Sequence, residues 1–483
     1  MGKVEVVAAK LPHRSVLIRT RGREPWGTGG RRPAVNVIRT RGRATADFGT
    51  GARETGAVPD QPRDARDPAE ARDGVGDDAA DGALAVGHAD LTALRRWPDV
   101  EAPDLVAVDA ADRLLLVEAA GPLAALAAAP GGLTASDVVV VGDHYGALTL
   151  GLLTGAVGIR PPRVRVHQDS LLSEQALVAN AGRLGVALAD ERGDVVAHHG
   201  LEPALVAGAR LVLVALPRSL AALEEIAQVA AAAAGPDVLL LASGRVKHMT
   251  RTQNVVLGRS FAEVGASLAH GKARVLRARG PHPAAARTYP LARRLPELDL
   301  DVVAHGAAFA GAALDVGTRY LLQFVPQMAP DAVDVVDLGC GTGVLAAMLA
   351  RSRPQARVLA LDVSAAAVDS ARATAAANGL APRIEVRRAD GLRGLPPASV
   401  DLVVCNPPFH VGSAVVPDVA LRLLANARTV LRPGGELWTV YNSRLAHAAA
   451  LRRLVGPTRV MGDNGAFTVA RTVLRPAPVP VRD

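Results

Sequence analysis

The chain runs to 483 residues, about half of them apolar, which is enough for two or three domains with full cores. No run of about 20 strongly apolar residues occurs and the N-terminus lacks the apolar segment of a secretory signal, so neither a membrane span nor export is expected. The formal charge of +8 is uneven, because residues 1–53 alone hold 12 Lys/Arg against three acids; the remainder is close to neutral and no basic catalytic body is implied.

Residues 1–82 read as a disordered basic tail. Arg19-Thr-Arg21-Gly-Arg23 recurs as Arg39-Thr-Arg41-Gly-Arg43, and an Asp/Arg/Ala/Gly-rich stretch follows with few large apolar residues. Two readings stand, an arm that strengthens binding to RNA phosphates and a dispensable tail.

From 83 to 270 the alternation of strands and helices predicts an α/β domain. Expected strands are 105–108, 113–117, 138–141, 164–167, 211–215 and 238–242, with helices at 173–184 and 220–234. The first strongly apolar strand ends in Gly142-Asp-His-Tyr-Gly146. Residues 271–304 carry a dense run of Lys and Arg and read as a basic linker beside the next domain, either a phosphate contact or a solvated connector. Phe309 to Leu314 then leads into an amphipathic helix. Asp315 and Thr318 stand at its start, placed either to close over a ligand or to cap the helix.

The stretch from Asp334 to Asn406 carries the chemistry. Asp337-Leu-Gly339-Cys-Gly341-Thr-Gly343 follows an apolar strand and opens a helix. Glycine at every second position accepts φ > 0 and lets backbone N–H groups approach a ligand at the helix N-terminus. A dinucleotide fingerprint needs glycine at the position held by Val344. Asp362 closes the next strand, where a carboxylate can accept both hydroxyls of a ribose. Asp390 ends the third strand and reads as an acceptor for an adenine amino group or as a turn residue. At the end of the fourth strand stands Asn406-Pro407-Pro408-Phe409. A planar exocyclic amine is a poor nucleophile; the Asn406 side-chain oxygen and the Pro407 carbonyl can hold its two N–H groups, and Phe409 offers a face for an extruded base. The two cysteines, Cys340 and Cys405, fall inside this region and read as reduced apolar fillers, not as a disulfide or metal site.

The motif Asp337-x-Gly339-x-Gly341-x-Gly343, with Asp362 and Asn406-Pro-Pro-Phe409 in order behind it, resembles the S-adenosylmethionine site of class I methyltransferases. Residues 83–270 resemble a decayed copy of the same unit. Gly142 can be laid on Gly339 and Gly146 on Gly343, whereas His144 replaces Gly341, Gln168 replaces Asp362 and Leu216 replaces Asn406.

With Leu314-Asp-Val-Gly317 and Leu431-Arg-Pro-Gly-Gly-Glu-Leu437, the chain is similar to the tandem-domain methyltransferases that modify guanine N2 in ribosomal RNA, the large-subunit (23S) branch more than the small-subunit (16S) one. The resemblance implies two Rossmann-like class I methyltransferase domains in tandem, the first degenerate. It places the catalytic domain at 305–476, before a short C-terminal tail (477–483). It implies S-adenosyl-L-methionine as cofactor, bound by Asp337, Gly339, Gly341, Gly343, Asp362, Asp390, Asp315 and Thr318, with Asn406, Pro407 and Phe409 catalytic. It also implies ribosomal RNA or a ribosomal subunit as partner and no metal; a cytoplasmic location is expected, and the oligomeric state is left open with a monomer as the default. The Asn-Pro-Pro-aromatic signature fits two other planar amines, adenine N6 in DNA and glutamine N5 in protein, and a non-enzymatic RNA-binding protein is the remaining alternative.

Overall fold

The computed structural model describes residues 91–102, 105–282, 287–407 and 417–475. The expected tail at 1–82, Phe409 and the last eight residues lie outside them. Val138-Val-Val-Val141 is apolar at every position, as a strand covered on both faces must be, and it centres the first sheet. The strands are β1 (Val138–Val141), β2 (Val164–His167), β3 (Val196–His198), β4 (Leu211–Ala215), β5 (Leu239–Arg245), β6 (Phe261–Ala266) and β7 (Ala273–Pro281). Their order is β3-β2-β1-β4-β5-β7-β6, parallel from β3 to β5 and antiparallel for the last two. Val138 and Val140 face one core with Leu115, Leu116 and Leu150; Val139 and Val141 face another with Leu223 and Val229.

Four helices matter here: α1 (Ala110–Ala128), α2 (Ala147–Leu153), α3 (Leu171–Leu184) and α4 (Leu220–Ala233). Residues 105–117 correct the sequence reading. No strand forms at 105–108, and 113–117 lies inside α1. The cause is local: the Asp109 carboxylate accepts from the N–H groups of Ala111 and Asp112 while the Asp112 side chain accepts from Asp109 N–H, a capping box that starts a helix.

The expected basic linker also proves to be sheet. Ala273, Val275, Leu276 and Ala278 are buried, two in each core, while Arg277 and Arg279 are exposed and Arg277 pairs with Glu118 of α1. A hairpin of β8 (Leu291–Leu295) and β9 (Leu300–Ala304) follows.

The second sheet holds β10 (Asp334–Leu338), β11 (Arg357–Asp362), β12 (Ile384–Arg388), β13 (Val400–Cys405), β14 (Leu431–Asn442), β15 (Thr458–Asp463) and β16 (Phe467–Val473). Its order, β12-β11-β10-β13-β14-β16-β15, repeats the first sheet strand for strand. The helices used below are α5 (Val316–Leu322), α6 (Val344–Ser352) and α7 (Ala365–Ala377). Val303 N–H and His305 N–H donate to Thr374 and Ser370 on α7, which ties β9 to the second domain. Strand order reverses between β10 and β13, and there the carboxyl ends of the strands open a crevice. No helix among the described residues is long and apolar enough to cross a membrane.

Candidate cofactor and acceptor site

The turn after β10 is built by backbone hydrogen bonds. Gly339 N–H and Cys340 N–H both donate to Leu361 O, at 2.8 and 3.0 Å, which joins the glycine turn to the end of β11. Gly339, Gly341 and Gly343 all have positive φ, at 74, 51 and 79°. They serve differently. A Cβ on Gly339 or Gly341 would project into open space, whereas one on Gly343 would lie 3.0 Å from Ala371 Cα on α7. The first two glycines thus leave a concave, backbone-lined surface, and the third lets two helices meet.

Asp362 closes that surface. Its Oδ2 accepts Gly341 N–H and its Oδ1 accepts Ser364 N–H, both at 2.9 Å. Burial pushes its carboxyl above the ordinary value despite those two donors. Asp337 departs from the cofactor-contact expectation. It is fully buried beneath the turn, its Oδ2 accepts Ala346 N–H at 2.8 Å, and it does not line the crevice. Its place is structural because a carboxylate two residues before the turn points back at the helix it must start. Asp390 lies beyond β12 and pairs with Arg393 at 2.9 Å.

Across the crevice, Asn406 directly follows β13. Its Nδ2 donates to Asp315 Oδ2 at 2.8 Å and to Thr318 Oγ1 at 2.9 Å. Asp315 also caps α5, accepting Thr318 N–H at 2.9 Å, as the capping reading of its position expects. A carboxylate cannot donate to an amide oxygen, so the NH2 group must face Asp315 and the oxygen must face away. That oxygen, Asn406 Oδ1, is buried and has no hydrogen-bond partner among the described residues. Asn406, Asp315, Thr318, Gly339 and Gly341 line one cleft, with Phe309 and Leu314 from the segment before α5. Pro407 is buried beside them. The sequence reading assigned Phe309 no role, although a lone aromatic in an Ala/Gly-rich stretch was the available signal. Gly317 stood in the sequence motif without a role of its own: a Cβ there would lie 3.3 Å from Asn406 Oδ1. Burial pushes the Cys340 and Cys405 thiols well up, leaving neutral fillers.

The corresponding turn of the first domain is occupied by its own side chains. Asp143 stands where Cys340 stands in the second, and its carboxylate accepts the N–H groups of Gly146, Leu148 and Thr149. Gln168, in the place of Asp362, is buried and donates to Asp143 O and Ser173 O. The anion-favouring helix end is filled from within, so this copy is degenerate.

Two sheets of one topology, with one open glycine turn and one filled, define a tandem methyltransferase fold. The description "Methyltransferase small domain" matches residues 299–471, and "RLMG N-terminal domain" matches 84–282. Ribosomal RNA large subunit methyltransferase G of Streptomyces coelicolor is 38% identical over 389 residues, 79% of this chain and 97% of the relative. The protein of the same name from Stutzerimonas stutzeri is 34% identical, over 79% of this chain and 96% of its own. Among solved structures, the T. thermophilus 16S rRNA N2 G1207 methyltransferase in complex with AdoMet and guanosine shares the fold at TM-score 0.57 and 22% identity, covering 76% of this chain and 92% of that one. The chain belongs to the ribosomal RNA large subunit methyltransferase G family. It is an rRNA methyltransferase.

Proposed function

We propose that this protein methylates the exocyclic N2 amine of a guanine in large-subunit ribosomal RNA. The observation that carries the reading is the side-chain oxygen of Asn406, a cleft-lining residue: Asp315 and Thr318 take both amide hydrogens, and the oxygen is buried with no partner among the described residues. A buried acceptor without a donor costs free energy, and an incoming N–H group relieves it. The relatives' name directs the reading to the large subunit, and the guanosine held in the T. thermophilus complex directs it to guanine.

The cofactor fits the cradle: Gly339 and Gly341 leave the space a Cβ would fill, and Asp362 stands at its rim. Bound there, S-adenosylmethionine would supply a methyl group on a positively charged sulfur. In this reading Gly339, Gly341 and Gly343 provide backbone contacts, Asp362 accepts from the ribose and Asp390 from the adenine. Asp315 and Thr318 close the methionine end and fix Asn406. Asn406 Oδ1 and the Pro407 carbonyl take the two hydrogens of the amine, which frees its lone pair from the ring as the nitrogen pyramidalises. The proton lost afterwards goes to water and needs no strong base. Phe409 enters as the stacking face on the sequence motif alone.

The test is methyl transfer from labelled cofactor to protein-free large-subunit rRNA, small-subunit rRNA, deproteinised DNA and a release-factor peptide side by side. Label in N2-methylguanosine of large-subunit RNA is expected, and Asn406→Ala should lower transfer at least about 100-fold with cofactor affinity little changed. Label on adenine N6 or glutamine N5 overturns the reading, as does equal loss of cofactor binding in the variant.

A further inference from the structure

The filled domain touches the site it does not form. Gln168 turns inward, but its neighbour Asp169 reaches the second domain. Asp169 Oδ1 accepts Ser364 Oγ at 3.0 Å and Ala366 N–H at 2.8 Å, and its main-chain oxygen accepts Ala365 N–H at 2.8 Å. Leu171 N–H donates to Val363 O at 2.9 Å, and Ser170 and Ser364 form an antiparallel bridge between the domains. These bonds hold the first turn of α7, whose Ser364 N–H is the donor to Asp362 Oδ1.

Arg388 makes the second connection. It ends β12, two residues before Asp390, and donates to Gln168 O at 2.7 Å and Asp169 O at 2.9 Å. It also pairs with Glu174 of α3 at 2.6 Å and reaches Val363 O at 3.3 Å. The segment 168–174 therefore grips the turn that follows Asp362 and the strand end that precedes Asp390. Each carboxylate lies within two residues of a residue gripped across the domain boundary.

We propose that Asp169, assisted by Arg388, is a positioning residue for the adenosine half of the cofactor site: the degenerate domain has lost its own cofactor and braces the ribose and adenine contacts of its twin. The inference rests on the reading of Asp362 and Asp390 as those contacts. A bond from Asp169 to the N-terminus of α7 fixes the direction of Ser364 N–H, and that N–H fixes one oxygen of Asp362. Loosening the turn leaves the glycine cradle intact and misaligns the carboxylate, so affinity for the adenosine end should suffer while the reacting groups near Asn406 do not.

The experiment uses the full chain, with calorimetric binding of S-adenosylmethionine and of 5′-methylthioadenosine, which carries the adenosine half alone, and steady-state transfer to rRNA. Asp169→Ala is expected to raise Kd and KM for S-adenosylmethionine about tenfold, to weaken 5′-methylthioadenosine by the same factor, and to leave kcat and the KM for RNA within about threefold. Asp169→Asn keeps an acceptor oxygen and should recover most of the loss. Ser364→Ala, which keeps the Ala366 bond, should lose about threefold and decides the matter if Asp169→Ala does not fold. Unchanged affinity, loss confined to kcat, or loss for S-adenosylmethionine without loss for 5′-methylthioadenosine overturns the proposal. Asp362→Ala separates the two levels. If it binds cofactor as the parent does, the assignment of Asp362 fails and the proposal with it; if it loses binding while Asp169→Ala does not, the proposal alone fails.

Discussion

The carboxylate of Asp315 lies 2.8 Å from the side-chain nitrogen of Asn406, 91 residues further along the chain. One atom of Asp315 thereby serves two ends, because Oδ2 also accepts Thr318 N–H at the start of α5. The helix that covers the cleft and the amide that faces the acceptor are set by the same carboxylate.

Removing either partner should let the Asn406 amide rotate. Thr318→Val keeps the shape and deletes one acceptor; it is expected to lower kcat about tenfold, more than it raises the KM for S-adenosylmethionine. Asp315→Ala deletes the other acceptor and the cap, so it should also lower stability by about 1 kcal/mol. The double variant should approach Asn406→Ala in rate. Stopped-flow single turnover separates the chemical step from binding, and a fall in cofactor affinity larger than the fall in rate would show that Asp315 serves the cofactor alone and does not set the Asn406 amide.

Glu225 of α4 accepts from both His305 and Gly306 at the exit of β9, each at 2.7 Å, and so anchors the segment that carries Phe309 and Leu314 to the cleft. The hydrogen bond to Glu225 raises the His305 pKa, with Asp369 adding and burial and Arg287 opposing. A histidine whose folded pKa is raised gives stability that is fully present below its unfolded value near 6.5 and is lost as pH rises through the folded value. Glu225→Gln keeps an acceptor for Gly306 but removes the charge. It should cost roughly 1–3 kcal/mol at pH 6 and much less at pH 9, read from denaturant midpoints at both pH values. An equal loss at the two pH values would show that His305 is not the titrating partner.

Most of the site's framework was legible because strand–turn–glycine–helix is a local signal. Val138–Val141, Gly339 to Gly343 and Asn406 fall where periodicity and motif placed them. What was misread depends on context. The Leu114-Leu-Leu run is as good a strand as a helix until Asp109 and Asp112 cap it. The arginines of β7 look like a solvated connector because their buried partners are small, Ala273 and Ala278 among them. Asp337 carries a motif that points at cofactor, yet only the backbone path shows it turned under the loop. Contacts such as Asp169 with Ala366, 197 residues apart, leave no trace in either local pattern.

Asp337 offers a test within the catalytic domain. Burial pushes its carboxyl up to about 7, with Asp362 adding to the effect. Its folded pKa is raised, so the protein binds this proton more tightly folded than unfolded. The contribution is therefore fully present below about pH 4 and is lost as pH rises towards 7. Asp337→Asn keeps an oxygen for Ala346 N–H and removes the titration. The slope of unfolding free energy between pH 5 and pH 7 should be less negative in the variant than in the parent. A parallel slope would mean that Asp337 stays ionised in the fold.

Gly306 marks how tightly the two domains are joined. A Cβ there would fall 2.3 Å from Ala221 O and 2.6 Å from Ala221 C, the backbone at the start of α4. Backbone cannot rotate aside as a side chain can, so Gly306→Ala must push β9 and α4 apart and stretch the bonds from Ser219 Oγ to Gly306 O and from Gly306 N–H to Glu225. The expected cost is about 2–3 kcal/mol in unfolding free energy, with faster hydrogen exchange at residues 305–314. Ala221→Gly leaves that carbonyl in place and should not rescue the variant. Full stability of Gly306→Ala would show that the domain junction yields more easily than the close approach implies.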